Sequence, residues 1–508
     1  MKLQLLCEYA GIDCPKTAEN TEIEGVAMDS RCVIPDGMFI CIRGRHTDGH
    51  AYIARAVAMG ASCVLTEKGV DVEVPSGTLH LIASNTRRAA AYLFDAWYGF
   101  PSKRLKLIGV TGTNGKTSVT HMLRSIFEAS LYRCGTVGTV GCESAGRHLE
   151  KQGSDILANM TTPDPPELYR MLAEMADDGV EYVLMEVTSH ALALNKVAPL
   201  CFEAALFTNL TPEHLDFHES MDAYAGAKSL LFEKSRLAII NSDSLYADRM
   251  IAHASGRTLT CSLSGGADYT AESLECGERG VAYDLCSGSS RIRITCPIPG
   301  GFTVMNSMQA AICALELGVS VKTVKTALAS LSGIKGRMER VRLGLGADFS
   351  VLIDYAHTPD ALENLLRTAK SLKQKSGGRT VLLFGCGGDR DRSKRAVMGR
   401  IASQYADHVI VTSDNCRCEE PTEIIRDILR GIDPSKPHTV IVDRKEAIEY
   451  AVLTAERDDM ILLAGKGHEE YEITKTKRLP FCEKEIVRAA FERRGRRNET
   501  TDPTESDK

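Results

Sequence analysis

At 508 residues the chain is too long for a single core of ordinary size and suggests about three domains. Hydrophobic residues at 44% and charged residues at 25% are typical of a globular protein, and no apolar run is long enough to cross a bilayer. A net charge of −6 supplies no basic field, which argues against a nucleic-acid binder.

The N-terminus, MKLQLLCEYAG, carries one lysine and few apolar residues before Glu8, too little for a signal peptide, so a cytoplasmic location is expected. Residues 1–102 form a first module, with strands at Met38 to Ile42 and Ala61 to Thr66 around a helix at Ala51 to Met59, and Phe100-Pro101-Ser102 as its exit linker. A second module, 103–336, opens with the run Leu107 to Ser118, LIGVTGTNGKTS. A hydrophobic strand there feeds a glycine-rich turn that ends in Gly115, Lys116 and Thr117 at the start of a helix, Ser118 to Ala129. Glycines let backbone N–H groups approach a polyphosphate, Lys116 supplies charge and Thr117 a hydroxyl for Mg²⁺. A tight Gly-Thr-Asn-Gly turn between strand and helix is the plain alternative, and the Gly-Lys-Thr in which it ends favours phosphate. The spacing is unusual, with two residues between Gly112 and Gly115 where a regular P-loop has four.

Strand Tyr182 to Glu186 follows, and Glu186 at its end is a candidate oxygen ligand for Mg²⁺ rather than merely a solvated carboxylate. In TNLTPEHLDFHESMDAYAGAKSLLF, Thr208 to Phe232, His214 and His218 have an i,i+4 spacing, but the glutamate of an HExxH zinc site is absent. Taken alone, His218 reads as structural or substrate-orienting and Lys228 as a solvated helix lysine. Alternation in GVAYDL and SRIRITC, between Cys261 and Pro297, predicts a small antiparallel insertion, and Val304 to Leu317 a buried helix.

The third module, 337–494, has strands at Val351 to Asp354, Val381 to Phe384, His408 to Thr412, Thr439 to Val442 and Met460 to Ala464. Parallel strands share one carboxyl edge, so the loops DYAHTPD, GCGGDRDRSKR, SDNCRCEE and GKGHEE should bring Asp354, His357, Arg390, Asn415, Arg417 and Glu469 together. The arginine cluster Arg493, Arg494, Arg496 and Arg497 leads into a polar stretch, and residues 495–508 are expected to be a disordered tail. The 17 cysteines, such as Cys63, Cys201 and Cys313 in apolar segments, read as reduced, buried thiols without paired CxxC sets for zinc.

The ordered set MDSRCVIPDGMFICIRG (Met28 to Gly44), DGHAYI, GTNGKT, TTPDPPEL, MEVTSHAL, TNLTPEHLDFH, AGAKSLLF, GRMERV, DYAHTPDAL, GCGGDRDRSKR and GKGHE resembles the Mur ligases of peptidoglycan precursor synthesis, over nearly the whole chain. The motifs are most similar to the MurE branch, which adds the third amino acid. The resemblance implies an α/β fold of three domains, with a P-loop parallel-sheet domain at the centre and a Rossmann-like C-terminal domain. It implies an ATP-dependent, ADP-forming amide ligase that phosphorylates the D-Glu γ-carboxylate of UDP-MurNAc-L-Ala-D-Glu and lets an amino group capture the acyl phosphate.

By the same resemblance ATP is held by Gly112, Thr113, Asn114, Gly115, Lys116, Thr117, Ser118, Asn209, Asn306, Arg337 and Asp354. Lys116, Glu186, His214 and Lys228 are catalytic. Mg²⁺ falls to Thr117, Glu186, His214 and Lys228, the last carbamylated by CO₂. The UDP-MurNAc-dipeptide falls to Met28, Ser30, Arg45, His46, Thr47, Asn159, Thr161, Thr162, Ser189 and Lys196. The incoming amino acid falls to Arg390, Asp414, Asn415, Cys416, Arg417, Gly465 and Glu469. Three departures stand out: Thr188 replaces a serine, Lys196 an arginine, and Cys416 the proline of the DNPR loop of diaminopimelate-adding enzymes, which removes a backbone constraint. Arg417 remains, and its guanidinium suits the distal carboxylate of meso-diaminopimelate, which lysine lacks. The alternatives are L-lysine as substrate, folylpolyglutamate synthase, which lacks the first module, and a catalytically silent nucleotide-binding paralogue. A monomer is expected, with no nucleic-acid partner.

Overall fold

The computed structural model describes residues 1–44, 47–150, 160–344, 346–373, 377–475 and 477–500. The first module carries a four-stranded parallel sheet, ordered Val26–Ala27, Gly37–Ile40, Ala61–Glu67 and Leu79–Ala83. The expected helix is shorter than the apolar pattern suggests: Gly49–Tyr52 forms a 3-10 turn before Ile53–Ala58, with the Asp48 carboxylate accepting from His50 N at 3.0 Å.

The central sheet has eleven strands. Strand Lys106–Thr111 lies between Phe202–Phe207 and Tyr182–Glu186, all parallel, and the three are almost continuously buried. Such strands need cover on both faces. Alternate residues accordingly enter two cores: Ile108, Val110 and Leu184 pack toward Val119, Leu123, Met308 and Ile312, while Leu107, Val183, Met185 and Phe207 pack toward Leu168, Leu172, Leu93 and Leu6. The second core is shared with the first module. Tyr9 Oη donates to Asp95 at 2.6 Å, and Asp95 accepts from Ser102 N at 3.1 Å, so the linker is tied down.

The segment expected as a separate antiparallel insertion is instead the edge of this main sheet. Strand Tyr269–Gly277 pairs in parallel with Arg257–Ser262 through Cys261 and Ser262, and only then do Gly280–Ser287 and Ser290–Cys296 turn back antiparallel. Val281, Tyr283, Leu285 and Ile294 point into the core under helix Phe302–Glu316, which explains the alternation without a separate unit.

The third sheet is ordered Glu339–Arg340, Ser350–Asp354, Met460–Ala464, Thr380–Phe384, His408–Val411 and His438–Val440, parallel apart from the first. Its final helix, Glu483–Thr500, runs beyond the point where a disordered tail was expected to begin at 495. Val487 and Ala490 anchor the helix on the sheet. Residues 501–508 lie outside the described residues. All 17 cysteines are free thiols; Cys63 and Cys313 are buried as expected, whereas Cys201 is exposed at the mouth of its strand. No described helix is long and apolar enough to cross a membrane.

Candidate active site

A cleft of about 800 Å³ opens where the central and third sheets face each other. One wall is the phosphate loop. Gly112 has φ 148° and a Cβ there would run into the Thr208 hydroxyl; Gly115 has φ 90° and a Cβ would sit 2.6 Å from Asn306 Oδ1. Both positions therefore require glycine. The loop is braced from the adjacent strand: Asn114 N donates to Asn209 Oδ1 at 2.9 Å and Thr113 N to Asn209 O at 3.0 Å. Lys116 Nζ donates to the Gly112 and Thr113 carbonyls at 2.9 and 2.8 Å, and burial lowers its pKa.

Glu186 ends the neighbouring strand one register step from the loop, opposite Val110. It is 2% exposed and accepts from Thr117 Oγ1 at 3.0 Å, Thr139 N at 2.9 Å and Thr139 Oγ1 at 2.9 Å. His214 occupies the left-handed region, φ 56°, before the short helix Leu215–His218 and lines the same cleft. Its ring meets His190 edge-on at 4.8 Å, and His190 lies against Phe217 at 4.1 Å. Burial lowers the His214 pKa to about 4, partly opposed by Glu213, so the imidazole is neutral at pH 7 with a lone pair to offer.

Lys228 is fully buried beneath the loop rather than in the cleft wall. Its Nζ donates to Gly112 O at 2.9 Å and sits 4.7 Å from the Tyr224 ring centroid, and burial, then the charge of Lys116, depresses its pKa strongly. The solvated-lysine reading is therefore corrected by a pattern that sequence alone could not expose. Among the described residues no three His, Cys, Asp or Glu side chains form a ready-made metal cluster. The Thr117 hydroxyl, the Glu186 carboxylate and the neutral His214 ring nonetheless make a donor set that suits Mg²⁺ when phosphate oxygens complete it.

The third domain supplies the opposite wall, because the loops after four of its parallel strands meet here. Arg337 Nη2 donates to Thr117 Oγ1 at 3.0 Å and its guanidinium lies 4.5 Å from the Tyr355 ring centroid. Asp354 accepts from Met338 N and Ala356 N, both at 2.8 Å, and burial raises its pKa. Asn114 Nδ2 donates to Asp360 at 2.8 Å across the boundary.

At the far end, Arg390 and Arg417 stand together, and burial followed by Arg417's charge lowers the Arg390 pKa. Asn415 Nδ2 donates to Glu469 at 2.8 Å. Asp414 is buried, which alone would raise its pKa, but Lys466 and Arg444 bring it down to about 2. The loop keeps its shape without proline. Arg417, φ 51°, pairs its backbone with the hairpin Tyr471–Thr474 and Lys477–Pro480: Arg417 N donates to Ile473 O at 3.1 Å, and Ile473 N donates to Asn415 Oδ1 at 2.9 Å.

The structure brings most of the sequence-predicted residues to this cleft: Thr113 to Ser118, Thr161, Glu186, Asn209, His214, Asn306, Arg337, Asp354, Arg390, Asp414, Asn415, Arg417, Gly465 and Glu469 line it. Cys416 does not; its side chain packs into the hydrophobic core and burial raises its thiol pKa, while the exposed Cys418 lines the cleft instead. Thr162, Ser189 and Lys196 sit behind the wall, with Lys196 Nζ 2.8 Å from Asp164 and Ser189 Oγ 2.9 Å from His218 Nε2. Met28, Ser30 and Thr47 remain on the first module away from the cleft, and Arg45, His46 and Asn159 lie outside the described residues.

Sequence reasoning missed Glu213, Thr139 and Asp360. Glu213 stands beside His214 in TPEHLDFH, and Asp360 lies in the DYAHTPD loop, so proximity to known motifs was the available signal. Burial raises the Glu213 pKa, but the His357 hydrogen bond and the charges of His214, His357 and Lys116 hold it well below the usual carboxylate range.

Family models match three stretches: the Mur ligase family catalytic domain at residues 22–93, the Mur ligase middle domain at 110–314, and the Mur ligase glutamate ligase domain at 336–467. The chain belongs to the Mur ligase family. Among curated Mur ligases it is 42% identical over 468 residues, 92% of this chain and 94% of the relative, to UDP-N-acetylmuramoyl-L-alanyl-D-glutamate--2,6-diaminopimelate ligase 1 of Clostridium acetobutylicum. It is 43% identical over 471 residues, covering 92% and 95%, to the corresponding ligase of Caldanaerobacter subterraneus. A solved structure of a UDP-N-acetylmuramoyl-L-alanyl-D-glutamate--2,6-diaminopimelate ligase superposes with a TM-score of 0.66 at 31% identity, over 97% of this chain and 100% of that one. The family match fits a central sheet whose phosphate loop faces the loops of the third sheet.

Proposed function

We propose that this Mur ligase joins meso-diaminopimelate to the D-Glu γ-carboxylate of UDP-MurNAc-L-Ala-D-Glu, driven by ATP through an acyl phosphate, with domains at 1–102, 103–336 and 337–494. The observation that carries the reading is one cleft with a phosphate loop at one end and the Arg390, Arg417, Asn415 and Glu469 set at the other. A carboxylate is a poor electrophile, and phosphorylation supplies its leaving group. Lys116 and the N–H groups at the start of helix Lys116–Ala129 are placed to offset charge on the transferring phosphoryl group, and Arg337 adds a cation from the third domain. Closing both walls over the acyl phosphate excludes water, which would otherwise hydrolyse it.

Mg²⁺, held by Thr117, Glu186 and His214, would compensate phosphate charge. Lys228 fits carbamylation on physical grounds: burial and Lys116 favour its neutral amine, the form that takes CO₂, and the resulting anion would lie beside a cation. At the amino-acid end two guanidiniums suit a substrate with a second carboxylate, which favours diaminopimelate over L-lysine. Met28, Ser30 and Thr47 on the first module are assigned the nucleotide-sugar end of the substrate, with Thr161 nearer the reacting carboxylate. We read the enzyme as a cytoplasmic monomer. Purified protein with UDP-MurNAc-L-Ala-D-Glu, ATP and Mg²⁺ should release ADP and form a tripeptide product with diaminopimelate and little with lysine. No ADP release dependent on all reactants would overturn the ligase assignment, and preference for lysine would overturn the choice of amino acid.

A further inference from the structure

Glu213 belongs to neither the phosphate loop nor the amino-acid end, yet it is only 9% exposed and faces both sides of the domain boundary. Its Oε1 lies 3.2 Å from His357 Nε2 on the third domain, and its Oε2 lies 3.7 Å from His214 Nε2 on the central domain. Each histidine is fixed on its own side. His357 Nδ1 lies 2.8 Å from Tyr355 O, its ring packs 4.5 Å from the Tyr355 ring, and its carbonyl accepts from Lys394 Nζ at 2.8 Å. His214 is held by its left-handed backbone and by the His190 ring. A buried carboxylate is costly unless its oxygens are paired, so the arrival of His357 decides where the Glu213 carboxylate can point.

We propose that Glu213 is a positioning residue that couples docking of the third domain to the orientation of His214, so that the metal-side imidazole is aimed for reaction only once His357 has arrived. The coupling rests on the ligase assignment for its catalytic consequence, while its geometric content can be read separately. If the third domain swings away, Oε1 loses its partner and the carboxylate is free to rotate. His214 keeps its backbone and the His190 ring but loses the carboxylate that faces its Nε2 at 3.7 Å.

The test compares wild type with Glu213→Ala and Glu213→Gln, using hydrogen–deuterium exchange of residues 355–361 with and without a non-hydrolysable ATP analogue and UDP-MurNAc-L-Ala-D-Glu, together with Mg²⁺ titrations of turnover. Ligand-induced protection of 355–361 should fall at least about fivefold in Glu213→Ala and recover in part in Glu213→Gln, whose amide oxygen still accepts from His357. The half-saturating Mg²⁺ concentration should rise about tenfold and kcat fall about thirtyfold, with KM for ATP changed less than about threefold, a split that general loosening would not produce. His357→Gln, which removes the partner from the other domain, should reproduce the loss of protection and serves if Glu213→Ala does not fold. Wild-type protection and an unchanged Mg²⁺ dependence in folded variants would overturn the proposal. If the wild-type protein forms no amide product, the ligase assignment fails, yet the exchange comparison still decides whether Glu213 links the two domains.

Discussion

Gly138→Ala perturbs the centre of the site by crowding Glu186 while removing no functional side chain. Gly138 ends strand Cys134–Gly138 in a conformation that alanine adopts freely, so the backbone should not be strained. A Cβ there would lie 2.9 Å from Glu186 Cδ and 3.0 Å from Cγ, and closer still to Oε1. Carbon atoms settle at about 3.5–4.0 Å, so the carboxyl group must retreat by roughly 0.5–1 Å. It has no slack, because Thr117 and both donors of Thr139 hold it at 2.9 to 3.0 Å in a fully buried position. A displacement of about 1 Å at a reacting centre costs on the order of 10²-fold in rate, equivalent to about 2.7 kcal/mol in the barrier. Weakening one hydrogen bond to the carboxylate should cost stability about 1–2 kcal/mol. The assay is steady-state ADP release at saturating substrates, repeated across Mg²⁺ concentrations, with the melting temperature as the control. A variant with kcat within about threefold of wild type and an unchanged Mg²⁺ dependence would show that Glu186 does not act at the reacting centre.

Arg417→Lys replaces a planar fork with a point charge in the loop that the hairpin holds, and kcat/KM for diaminopimelate should drop about 10- to 100-fold with kcat less affected; equal losses in both parameters would remove Arg417 from substrate binding. Stripping dissolved CO₂ from the enzyme should lower turnover at least about tenfold, restored by bicarbonate in wild type but not in Lys228→Ala, which should itself be nearly inactive and folded; insensitivity to bicarbonate would leave Lys228 only as the prop of Gly112 O. Burial, aided by neighbouring positive groups, lowers the pKa values of His190, His214 and His218 from 6.5 to about 3, 4 and 4. Their folded forms thus bind fewer protons than the unfolded chain, so the stability they contribute is fully present above pH 6.5 and is lost as pH falls toward about 4. The melting temperature should therefore fall between pH 7 and 5 and do so less steeply in His190→Phe; parallel slopes would refute the assignment.

Much of the chemistry was legible in the residues themselves. A Gly-rich turn ending in Gly115-Lys116-Thr117 after a buried strand implies a phosphate site because backbone freedom, positive charge and a hydroxyl are local properties. The five strands of the third module were likewise readable, since buried parallel strands are short apolar runs, and their common carboxyl edge brought Asp354, His357, Arg390, Asn415, Arg417 and Glu469 together. Alternation between Cys261 and Pro297 correctly announced antiparallel strands but could not say that they extend the main sheet, because pairing partners are set by distant residues. Cys416 drew attention as a lost proline, yet a chain-distant hairpin, not the loop's own composition, holds Arg417 in place.

Local sequence therefore determined which elements form and which residue types can handle phosphate and carboxylate, since these follow from spacing and side-chain chemistry. Only the folded molecule decided that Lys228 is buried under Gly112, that Lys196 is spent on Asp164, and that Glu213 spans two domains. Burial and the company of distant charges exist only after the three sheets have packed, and they convert an ordinary lysine or glutamate into a specialised one.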